Sequence, residues 1–145
     1  MSPLDRIRLI GPLLSIAMRR RLWIALLILY AGAIFALSQM PLQPGDPPFP
    51  YYDKCFHAME FAVFAALAWK ATGRQARPAF VLSAAYAGSD ELHQLFVASR
   101  IASPLDLAAD VFGILLALAV LEFARRLWGI RRRRILTRIH SEVES

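Results

Sequence analysis

Cysteine is nearly absent: Cys55 is the single thiol among 145 residues. One thiol excludes a disulfide framework and a cysteine-rich zinc site, and its place near the start of an apolar segment fits packing rather than nucleophilic chemistry. Glycine is sparse, with seven residues, and nowhere forms a phosphate-cradling loop. No nucleophilic serine motif is present, and Ser89 beside Asp90 reads as a packing residue. There are only three histidines, and none completes an H-E-x-x-H zinc helix. Internal repeats are lacking too, and low complexity is confined to the basic tail. The length leaves room for one domain.

Apolar residues and positive charge are what the chain has in excess: 57% of it is hydrophobic, yet the formal net charge is +6. The two are segregated into apolar blocks separated by basic ones, the pattern of a helical membrane protein. Four apolar segments stand out, about Leu22–Met40, Asp53–Lys70, Pro78–Val97 and Leu105–Trp128. Each approaches the roughly 20 residues needed to cross the hydrocarbon core. The breaks between them are explicit. Pro41 to Pro50 holds five prolines and a glycine, which no helix interior tolerates; Gly73 to Pro78 and Ser99 to Pro104 make the other two. The expected fold is an all-α membrane protein, a bundle of four transmembrane helices.

Charge orients that bundle. Of the 17 Lys and Arg residues, fifteen lie before the first segment, between the second and third, or after Leu121; only Lys54 and Arg100 fall on the other side. This strong positive-inside bias predicts that both termini are cytoplasmic. Arg19-Arg20-Arg21, an apolar run and Ala31-Gly32-Ala33 imitate a signal peptide, but the run continues through Ile34 to Leu37, so an uncleaved anchor is expected. The expected division is a basic cytoplasmic segment over 1–21, a membrane domain over 22–128 and a basic cytoplasmic tail over 129–145. Ile7, Ile10, Leu13, Leu14 and Ala17 recur at helical spacing, which suits an interfacial helix. Arg131 to Arg134 directly follow an apolar segment, which favours anionic membrane lipid over nucleic acid as the partner.

Ionisable residues within apolar helices are costly, so each is a functional candidate. Asp53, His57 and Glu60 share one helical face in the second segment. In the third, Asp90, His93 and Gln94 share a face, with Glu91 about 100° away. In the fourth, Asp106 and Asp110 share a face with Gly113 and Ala117, a small-xxx-small pair that lets helices approach closely. Asp106 and Asp53 also suit N-terminal capping of their helices. His57 and Glu60 would lie about 6 and 10 Å along their helix at 1.5 Å per residue, so all three segments place their polar groups at one outward level. Six acids there (Asp53, Glu60, Asp90, Glu91, Asp106, Asp110) face Lys54, Arg100 and two histidines. The negative excess calls for protons, a cation or a cationic ligand group. His57-x-x-Glu60 and Glu91-x-His93 carry suitable metal donors without matching a known motif, so the metal and any other cofactor are left unknown.

Taken together, Asp53-Lys54-x-x-His57-x-x-Glu60-Phe61, Asp90-Glu91-Leu92-His93-Gln94-Leu95-Phe96, Arg100 and Asp106-x-x-x-Asp110-x-x-Gly113 resemble the VanZ-like family. Ser38-Gln39-x-Pro41 resembles its usual exit from the first helix. The chain departs where the family often has Pro-Gly, here Ala98-Ser99, and where Asn is common, here Asp110. The family is named for a teicoplanin-resistance protein; the resemblance therefore implies an envelope role in a bacterial cytoplasmic membrane, and carries no enzymatic activity with it.

The reading that follows is an outward site for an envelope lipid or lipid-linked precursor. His57, Glu60, Glu91 and His93 are the candidate catalytic groups, able to act as general acid and base. Asp53, Lys54, Asp90, Gln94, Arg100, Asp106 and Asp110 are the candidate binding groups, with Arg100 suited to a phosphate or carboxylate. Two alternatives stand beside it: a small proton- or cation-coupled transporter, and a structural or assembly protein whose polar network only fastens helices. Whether the protein is an enzyme, and its oligomeric state, stay open.

Overall fold

The computed structural model describes residues 3–40, 50–97 and 103–143, with side chains described over 17–40, 50–97 and 103–133. These residues form four helices, α1 (Pro3–Ser38), α2 (Tyr52–Ala71), α3 (Ala76–Gln94) and α4 (Pro104–Val143). Among the described residues there is no strand. The expectation of an all-α, four-helix chain therefore holds. Two of the helices run longer than their apolar segments: α1 continues back through Arg19–Arg21 to Pro3 and α4 runs on through the arginine block to Val143. The third is shorter, ending at Gln94 rather than Val97, because Phe96 and Val97 donate to the carbonyls of His93 and Gln94 in tight turns.

The helix ends follow local chemistry. After α2, Gly73 adopts φ +73° and donates to Lys70 O, while Arg74 donates to Trp69 O. This pair of bonds satisfies carbonyls that the helix end would orphan, and it needs a left-handed residue that glycine supplies without strain. Ser103 caps α4: its hydroxyl accepts from Leu105 N at 3.2 Å, with Pro104 at the first helical position, where a missing N–H costs nothing.

Helix α2 is central, packing on α1, α3 and most extensively α4. At Gly113 of α4 an added Cβ would overlap the main-chain carbonyl of Ala58, so at Gly113 the small-residue face read from sequence lies directly against the α2 backbone. The interior combines Phe61, Phe64, Ile34 and Ile114 with small residues such as Ala65, Ala68, Ala79, Ser83 and Ala87. Phe64 and Tyr86 stack with centroids 4.7 Å apart. The exterior is apolar as well: Ile28, Leu29, Val81, Phe112, Leu116 and Phe123 are all exposed. Two helices, over Ala17–Ser38 and Pro104–Arg133, are long and apolar enough to cross a membrane. Helices α2 and α3 fall short because Asp53, Lys54, Glu60 and Lys70, and Arg77, Asp90 and Glu91, lie within them.

Candidate functional site

The end of α1, the start of α2, the end of α3 and the start of α4 meet at one end of the bundle. Most of the candidate residues lie there, but they divide into separate groups.

The innermost group joins α2, α3 and α4. Lys54 donates to Asp53 at 2.7 Å and also to Asp106 of α4, with which it forms an ion pair. One turn on, His57 Nδ1 lies 3.0 Å from Asp110 Oδ1, and His57 Nε2 faces Asp106 Oδ1 at 3.9 Å. An ionised carboxylate only accepts, so in that state of Asp110 the His57 proton sits on Nδ1. From α3, Glu91 Oε2 accepts the main-chain N–H of Ser103 at 3.0 Å. Asp106 stands at the position from which a capping-box carboxylate would take that same N–H. Because Glu91 takes it and the Ser103 hydroxyl caps the helix, Asp106 serves Lys54 rather than its own helix end. Asp53 stays at the exposed rim.

Glu91 and Asp110 are 7% and 1% exposed, and each has one anchored oxygen. The other oxygens, Glu91 Oε1 and Asp110 Oδ2, are buried with no hydrogen-bond partner among the described residues. Donor atoms of His57, Glu91 and Asp110 lie within 4.8 Å of one another, so these are the residues that could hold a metal.

A second group ties α3 to α1. Asp90, also buried, accepts from Ser38 Oγ at 2.7 Å and from Gln94 Nε2 at 2.9 Å. His93 meets Gln39 Nε2 at 2.5 Å and packs on Phe35, their ring centroids 4.7 Å apart. The shared face of Asp90, His93 and Gln94 thus turns to α1, and Glu91, on a different face, joins His57. Ser89, expected to be a packing residue, is instead exposed and donates to Tyr86 O of its own helix. Arg100 lies outside the described residues.

Glu60 is half-buried beside a groove of about 500 Å³ between α1 and α2, lined by Tyr30, Leu37, Phe56, Met59 and Val63 together with Asp53 and His57. The Tyr30 hydroxyl donates to the Glu60 main-chain carbonyl at 3.2 Å. Sequence reasoning assigned no role to Tyr30, to Ser103, or to Ser38 and Gln39, which it quoted only as a helix exit. For Ser103 a readable signal existed, a serine followed by proline ahead of an apolar run. Tyr30, Ser38 and Gln39 are partnered across helices, and nothing local marks that.

The chain is thus an all-helical protein whose two long apolar helices fit a membrane protein, with polar groups of four helices gathered at one end. The family model described as VanZ/LLP1 matches residues 19–125, and the chain belongs to that VanZ-like family. No curated protein and no solved structure matches it.

Proposed function

We propose that this chain is a four-span protein of a bacterial cytoplasmic membrane, with both termini cytoplasmic, whose outward site binds or processes an envelope lipid or lipid-linked precursor. The groove between α1 and α2 carries this reading. Its wall is apolar and aromatic along Leu37, Phe56, Met59 and Val63, while Asp53, His57 and Glu60 edge it with polar groups. An amphiphile would lay its chain on the first and present its head to the second. The basic excess on the opposite side supports the orientation, and exposed apolar side chains on all four helices support the membrane setting. Should the site be catalytic, His57 held by Asp110 is the base that the geometry favours. A link to glycopeptide resistance is a narrower form of the same proposal, resting on family membership alone.

A transporter would carry polar groups onward through the bundle. Beyond the cluster, the buried residues described in α2 and α4 are Phe61, Phe64, Ala65, Ala68, Trp69, Ala71, Gly113, Ile114 and Leu118, which favours a one-sided site. Native mass spectrometry of protein released gently from its own membrane tests the lipid reading. A stoichiometric lipid is expected, and Val63→Trp, which fills the groove, should remove it. A protein that carries no lipid at any gentleness of release would overturn the reading of a retained lipid.

A further inference from the structure

We propose that His57, Glu91 and Asp110 form a binding site for one divalent transition-metal cation of the zinc class. The donors come from three different helices, yet lie within 4.8 Å of one another. In a tetrahedral site with bonds near 2.0–2.1 Å, neighbouring donors sit about 3.4 Å apart, so side-chain movements of about an ångström would close this set. Each carboxylate is already oriented by its anchored oxygen, Glu91 by Ser103 N–H and Asp110 by His57, while the second oxygen of each is buried with no partner among the described residues. Two carboxylates match the charge of a divalent ion, and Lys54 is committed to Asp53 and Asp106.

The donor chemistry narrows the ion. One imidazole with two carboxylates suits zinc and its transition-metal neighbours, whereas magnesium and calcium prefer oxygen-only shells with more ligands. An ion shared by His57 and Asp110 takes the place of the proton between them on Nδ1, and Nε2 then keeps a carboxylate facing it, Asp106. Such a partner orients a metal-bound imidazole. His57 lines the α1–α2 groove and Glu91 lines a smaller hollow of about 300 Å³ between α3 and α4, so an entering ligand could complete the shell. The metal proposal does not rest on the lipid reading, because either ligand can be retained without the other.

The test uses untagged full-length protein in detergent, stripped with a chelator and then given zinc(II) alone, with cobalt(II) as an optical probe and magnesium(II) as the contrast. One zinc per chain is expected after gel filtration, with a raised unfolding temperature and visible ligand-field bands from cobalt. Magnesium should do neither. Glu91→Gln and Asp110→Asn should each weaken zinc binding at least about tenfold, while Glu122→Gln, a carboxylate removed at the far end, should bind as wild type. Wild-type protein that neither retains zinc nor gains stability from it overturns the proposal, as does zinc binding unchanged in both variants. If the variants do not fold, X-ray absorption of the zinc-loaded wild type decides: outer-shell scattering from an imidazole is expected, and its absence overturns the site.

Discussion

The two ends of the bundle solve the problem of charge in opposite ways. At the basic end, charged groups stay near the surface: Arg125 pairs with Glu122 while half exposed, Glu122 also accepts from Trp69 Nε1 at 2.9 Å, and Arg20 donates to the Ala71 carbonyl. Lys70 and Arg74 lie over the Trp69 ring. These contacts tie neighbouring helix surfaces together, and none brings a charge into the core. At the other end Asp90, Glu91, Asp106 and Asp110 are buried among helices. Burying a charge costs several kcal/mol unless it is paired, so a chain that needed only to tie helices together would manage with the first arrangement. The contrast is what supports the proposal of a site at the acidic end.

That contrast can be broken in graded ways. The largest effect is expected where α2 and α4 touch. Gly113→Leu drives a side chain into the Ala58 backbone, which cannot move aside as a rotamer would, so about 3 kcal/mol or more of stability should be lost, read as a collapse of the unfolding midpoint in detergent. Next comes the ion pair. Lys54→Met strips the cation from buried Asp106; with Lys54 still 22% exposed, the expected loss is about 2–3 kcal/mol, below the range for a fully buried pair. The double variant Lys54→Met with Asp106→Leu should recover most of that, and a double variant no better than the single would mean that the pair does more than neutralise itself. Ser103→Ala removes the hydroxyl cap of α4 but keeps the main-chain N–H that holds Glu91. A loss of about 1 kcal/mol is expected, with zinc binding unchanged.

The gentlest probe alters nothing in the core. Cys55 is exposed at the acidic end, so an impermeant thiol reagent should label it from outside intact cells whose outer barrier has been opened. Labelling from the cytoplasmic face alone would invert the orientation.

Most of the fold was legible. Helix breaks at the proline-rich loop, at Gly73 and at Ser103-Pro104 are written in local chemistry, and Gly113 announced the tight helix crossing. The level of the polar groups was legible too, because a rise of 1.5 Å per residue fixes depth once the ends of a helix are known. How those groups pair was not. Asp90, His93 and Gln94 do share a face, as their spacing required, but which neighbour that face meets depends on how α3 is rotated against α1 and α2. Asp106 shows the same limit. Its position suited a cap, and only the approach of Glu91 to Ser103 released it to Lys54.

The sequence by itself determined the helices, their breaks, the family and the residues worth watching, since periodicity, turn chemistry and charge placement act over a few neighbouring residues. The tertiary structure decided that His57 meets Asp110, that Asp90 meets Ser38, and that Glu91 and Asp110 each keep one buried oxygen unpartnered. Those partners lie 53 and 52 positions apart in the chain; helix rotation and packing, which no local pattern encodes, bring them together.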